Sequence, residues 1–125
     1  MIFGIGIDMI EVERIATKIG KDMGFKELVF SPNEIGYCEL MTNKFEHYAA
    51  RFAAKEAFFK ALGTGWKNGT AFNEIEINNN EAGKPELSFL GSTALSIAEM
   101  NLGTISVSLS HLKAMASAVV IIETK

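Results

Sequence analysis

Apolar residues recur along this chain with two different periods, and the switches between them mark out its elements. Residues 2–8, Ile-Phe-Gly-Ile-Gly-Ile-Asp, form an apolar run that reads as a core strand ending in an acid. From about Glu11 the period lengthens, so that Val12, Ile15, Ile19 and Met23 share one side of a helix. Ser31-Pro32-Asn33-Glu34 is a capping box with proline at the first helical position, which predicts a helix through about Met41. A long helix is expected from about Lys44 to Leu62, stopped by Gly63. Phe72 to Asn78 alternates as a strand, residues 79–85 carry turn chemistry, and Glu86 to Phe89 pairs back. Ser92 is expected to cap a helix reaching about Met100. Thr104 to Ser110 and Ala116 to Glu123 are the last two strands, joined by a loop over residues 111–115. The order β-α-α-α-β-β-α-β-β predicts an α+β fold, a mostly antiparallel sheet with packed helices.

Three of these elements carry chemistry. On the long helix, at 100° per residue, Glu56 and Lys60 lie about 40° apart on one face, and Arg51 and Lys55 sit together on a neighbouring one. One acid beside several cations suits a divalent metal held against a phosphorylated ligand; an intrahelical Glu56–Lys60 ion pair is the plainer alternative. Asp8, at the end of the first strand, is either a rim carboxylate able to bind metal or a capping residue. Ser106-Val-Ser-Leu-Ser-His111 delivers a histidine to a strand end.

Taken in order, Gly4-Ile-Gly-Ile-Asp8, Glu11-Val-Glu-Arg14-Ile, Phe30-Ser-Pro-Asn-Glu34, Arg51-Phe-Ala-Ala-Lys-Glu-Ala-Phe-Phe-Lys60-Ala-Leu-Gly-Thr-Gly65, Gly83-Lys-Pro85 and Ser108-Leu-Ser-His111 resemble the holo-acyl-carrier-protein synthases of the 4′-phosphopantetheinyl transferase superfamily. The resemblance runs over nearly the whole chain. It implies transfer of 4′-phosphopantetheine from coenzyme A to a serine of an acyl carrier protein, dependent on Mg2+ (or Mn2+). It further implies Asp8 and Glu56 as the metal carboxylates, with Lys60 neutralising the pyrophosphate. Arg51 and Lys55 fall at the nucleotide end, Gly63 and Gly65 form flexible backbone near coenzyme A, and His111 reaches coenzyme A held mainly by a neighbouring subunit of a homotrimer. Longer relatives carry a further acid where this chain has Ile10, so two protein ligands are expected. The residue after the histidine, often small and polar in the family, is Leu112 here. For the proton acceptor, Glu56 and a water fixed by Glu34 both stand. The first helix is implied as the carrier-protein surface, through Arg14, Lys18 and Lys21, with Met23 and Phe25 packing against the partner.

Composition narrows the remaining classes. A chain of 125 residues is one domain, and 48% hydrophobic residues exclude disorder while leaving an apolar surplus that favours a subunit interface. Formal charge −3 disfavours nucleic acid, yet Arg14, Lys18, Lys21 and Lys26 face a single acid, Asp22, between positions 14 and 26. A lone cysteine, Cys38, forms no internal disulfide, and no run is long enough to span a membrane; a cytoplasmic location is expected. Two other classes share these features, a different magnesium-dependent enzyme acting on a nucleotide and a non-catalytic oligomeric module. Trp66, Cys38 and His47 carry no role.

Overall fold

β1 (Ile2–Glu11) pairs antiparallel with β5 (Met115–Thr124), and β5 with β4 (Leu102–His111), giving a three-stranded sheet in the order β1-β5-β4. The structure is a computed structural model and describes residues 1–66 and 69–125. Period-two alternation turns Ala116, Ala118, Val120 and Ile122 of β5, with Ile10 of β1 and Val107 of β4, into the core. The opposite face keeps Phe3, Ile5, Ile7 and Met9 exposed.

Across the inner face lies α4 (Lys44–Leu62), the longest helix, ended by Gly63 in the left-handed conformation at φ 82°. It is buried nearly all round because its contact positions are small: Ala49, Ala50, Ala53, Ala54, Ala57 and Ala61 are all in the core. Glycine on β1 completes this close approach. A Cβ on Gly4 would strike the carbonyl of Ala61, and one on Gly6 the carbonyl of Ala57. The strand and the helix therefore touch backbone to backbone, running in opposite directions. Phe58 and Phe59 fill the far side of α4 against Phe89 and Phe72, each burial contributing roughly 1.5–3 kcal/mol.

The remaining elements wrap that helix. α1 (Val12–Gly20) follows β1 directly, with Glu11 as its first flanking residue. α2 (Phe25–Val29) is a five-residue helix that the sequence pattern did not announce; it opens from Gly24 at φ 91° and is too short to show a period. Met23 consequently lies beyond α1 and is exposed rather than on its apolar side. α3 (Pro32–Glu39) has the complete capping box, with Ser31 accepting from Glu34 N and Glu34 accepting from Ser31 N. β2 (Ile75–Asn79) and β3 (Pro85–Phe89) make a separate antiparallel pair, so the strands form two sheets.

Two local expectations fail. Phe72–Glu74 is a 3-10 turn and not the start of β2. α5 (Gly91–Ala98) is capped not by Ser92 but by Glu74 from outside the helix, which accepts from Thr93 N at 3.2 Å and from Thr93 Oγ1 at 2.7 Å. A carboxylate at a helix N-terminus satisfies free N–H groups and meets the positive end of the dipole.

The glycine contact sets a direct test. Gly6→Ala should destabilise the chain by about 3 kcal/mol in urea unfolding, because neither backbone can yield without moving the strand off the helix. An unchanged midpoint would mean that β1 and α4 are not in contact there.

Candidate active site

From Gly4 against Ala61 and Gly6 against Ala57, two more residues along β1 bring Asp8 to the flank of α4 that carries Glu56 and Lys60. Lys60 Nζ donates to Asp8 Oδ1 at 3.0 Å and to the carbonyl of Ile7 at 3.0 Å. Its ion pair is with the strand, and not with Glu56 one turn away. Burial pushes the Glu56 carboxyl above its ordinary pKa, and the Asp8 charge pushes it further, while Lys60 and Lys18 pull it back. Two carboxylates thus repel one another at a half-open rim. A divalent cation relieves that repulsion, and hard oxygen donors suit Mg2+ or Mn2+. Among the described residues no cluster of three or more potential metal-ligating side chains occurs. Ile10 points into the core. Just beyond, Gly63 and Gly65 (φ 82° and 65°) form an exposed exit from α4 with open space around each Cα.

The second group of candidates splits. Arg51 lies about 140° from Glu56 around the helix, and so on another flank. Its guanidinium stacks over Tyr37 at 4.2 Å and donates through Nη2 to Asn79 Oδ1 at 2.8 Å. Among the described residues, Arg51 Nε is the one buried side-chain nitrogen or oxygen without a hydrogen-bond partner. Arg51 lines a cavity of about 230 Å³ with Tyr37, His47, Asn79, Pro85 and His111. His111 Nδ1 meets Glu46 Oε1 at 2.8 Å.

Lys55 does not join it. The expectation of a coenzyme A contact is corrected by its burial: the ammonium is inaccessible, bonded to Glu34 Oε1 at 2.7 Å, to the carbonyl of Phe72 at 2.8 Å and to that of Ile75. All three of its donors are spent inside the protein. Burial pulls the Lys55 pKa down, against the charge and hydrogen bond of Glu34. Glu34 is sealed equally, its other oxygen accepting from Ile77 N at 3.0 Å, so it does not face a substrate either.

On α1 and its capping residue Lys21, the side chains of Arg14, Lys18 and Lys21 are exposed and line one shallow hollow with Glu11, Glu13 and Thr17. Phe25 is half-buried, packed against Phe30 and Phe52 with Lys18 Nζ 5.4 Å from its ring centre. Met23 and Leu28, close in sequence to the basic residues, are exposed.

A family model described as the 4′-phosphopantetheinyl transferase superfamily matches residues 4–115. The chain belongs to that superfamily. A holo-[acyl-carrier-protein] synthase of Solibacter usitatus is 43% identical over 124 residues, covering 98% of this chain and 99% of its own. The crystal structure of the Neisseria meningitidis holo-[acyl-carrier-protein] synthase superposes with a TM-score of 0.89 at 32% identity, over 99% of this chain and 100% of that one. The Bacillus anthracis holo-(acyl-carrier-protein) synthase, solved in complex with CoA (3′,5′-ADP), gives 0.82 at 36% identity, over 100% and 99%.

Within this superfamily member, the surroundings of Arg51 and His111 that sequence reasoning did not foresee are Tyr37, Asn79, Glu46 and His47. These four residues come from three elements, α3, α4 and β2, and only the turn motif Gly83-Lys-Pro85 hinted that β2 and β3 approach the pocket.

Lys55→Met separates a structural role from a binding one. It leaves the Glu34 charge buried without a partner and should cost about 3–5 kcal/mol in unfolding free energy, part of it recovered by adding Glu34→Gln. A ligand contact would show the reverse, native stability with weakened coenzyme A binding.

Proposed function

We propose that this chain transfers 4′-phosphopantetheine from coenzyme A to a serine of apo-acyl carrier protein, releasing adenosine 3′,5′-bisphosphate. The observation that carries the reading is the meeting of Asp8, Glu56 and Lys60 at one rim, drawn from residues 48 positions apart in sequence for the two acids. The serine oxygen forms a bond to the β-phosphorus as the bridging pyrophosphate oxygen leaves. Asp8 and Glu56 would hold a magnesium ion, whose positive charge when bound eases departure of that oxygen. Lys60, more than half exposed, has an ammonium that also neutralises phosphate oxygens. Glu34, weighed as the carboxylate that would fix a proton-accepting water, is sealed in the core, whereas Glu56 is half-buried at the rim where the serine proton would be taken up. Gly63 and Gly65 offer backbone close to the same phosphates. A relative solved with CoA (3′,5′-ADP) supports coenzyme A as donor.

Arg51 and His111, sharing one pocket, suit the nucleotide end with its 3′-phosphate. They lie on the other flank of α4 from Glu56, which supports a site completed by a second copy. The apolar outer face of the sheet supplies a surface for it: Ile5 lies opposite Ile121 and Ile7 opposite Val119, continuing to Ser108 on the pocket wall. We read the assembly as a homotrimer with three shared sites, in the cytoplasm. The carrier protein, acidic, would dock on Arg14, Lys18 and Lys21, with Met23 and Leu28 as the apolar contacts. Lys18 lies near enough to act on Glu56, which joins that surface to the chemistry.

Intact-mass analysis of an apo carrier protein incubated with the chain, coenzyme A and Mg2+ should show the gain of one 4′-phosphopantetheine group. Glu56→Gln should slow this at least about a hundredfold while melting like the wild type; full activity would remove Glu56 from the site. Mixing inactive Asp8→Ala and His111→Ala chains should restore part of the activity. No recovery after verified subunit exchange would place each complete site within one chain.

A further inference from the structure

The pocket around Arg51 contains one imidazole that the proposed reaction leaves idle, His47. Its ring stands edge-on to Tyr37, 5.7 Å between centroids, and to His111 at 5.1 Å, and it lines the same cavity as both. Resting on the reading that this pocket receives the nucleotide end of coenzyme A, we propose that His47 is a further binding residue for the phosphate monoester there and takes up a proton as the dianion enters.

Charge balance singles out this ring. A phosphate monoester carries about −1.5 to −2 at neutral pH, whereas the permanent cation facing it, Arg51, supplies one positive charge. Arg51 has also committed Nη2 to Asn79 and its face to Tyr37. Among this chain's side chains that line the pocket, the two imidazoles are the remaining groups able to carry a positive charge. His111 Nδ1 is already engaged by Glu46 Oε1 at 2.8 Å. Among the described residues His47 makes no ion pair, so its ring is the imidazole left free to turn to a phosphate. The groups facing it are Tyr37 from α3, Glu46 and Arg51 from α4, Asn79 from β2 and His111 from β4. Burial lowers its pKa, His111 and Arg51 lower it further, and Glu46 opposes them. These influences favour the neutral ring, and an entering dianion reverses the local sign.

Calorimetry tests this on the full chain, with adenosine 3′,5′-bisphosphate and adenosine 5′-monophosphate as ligands. At pH 7, two buffers of different ionisation enthalpy, neither of them phosphate, report protons exchanged on binding. The wild type should take up protons with the bisphosphate and not with the monophosphate. His47→Phe and His47→Gln should each lose that uptake and bind the bisphosphate about tenfold more weakly at pH 6, with less than about a twofold change at pH 8.5. On the unaltered chain, the His47 titration midpoint followed by NMR should rise when the bisphosphate is bound. Unchanged uptake in both variants, or a midpoint that stays in place, overturns the role of His47 alone. Failure of the wild type to bind the bisphosphate overturns the pocket reading and this inference with it.

Discussion

Backbone contact between β1 and α4 governs this molecule. Gly4 and Gly6 let the strand lie on the carbonyls of Ala61 and Ala57, and no other residue fits. That contact fixes the axial position of the strand against the helix. Asp8 then arrives beside Glu56 and Lys60 as a matter of geometry, two residues on from a glycine and next in line to an alanine. The chemistry depends on a packing detail several ångströms away from it.

A second constraint sets the rotation of the helix. Lys55 is pinned by Glu34 and by two carbonyls on the opposite side of α4 from β1. Buried ion pairs often add little net stability, but they penalise alternatives that leave one charge unpaired. The pair thus ties α3, α4 and β2 together in one arrangement. With Lys55 locked inward, Glu56 and Lys60 face the strand and Arg51 faces β2, β3 and the end of β4. One helix thereby serves two separate surfaces.

The sequence disclosed the local features of this plan and hid the distant ones. α4 begins and ends where its pattern indicates, because Gly63 supplies a left-handed stop, and the capping box of α3 forms in full. Those signals lie within a few residues of one another. Lys55 could not be read so: alanines on every side of α4 leave no apolar stripe that would mark it as buried, and its partner Glu34 is 21 positions away. Glu74 capping α5, and Glu46 meeting His111 across 65 positions, are contacts of the same kind. α2 escaped because five residues hold little more than one turn. Resemblance over the long central motif supplied what periodicity lacked, namely the expectation that Asp8 and Glu56 meet.

That pairing of acids is the centre of the account, and it is open to direct observation. Crystals of the protein grown with coenzyme A and Mn2+ can be examined for the anomalous signal of the metal. The account predicts one ion bound by the carboxylates of Asp8 and Glu56 from the same chain. An ion held elsewhere, or by only one of these acids with the other turned away, would contradict it.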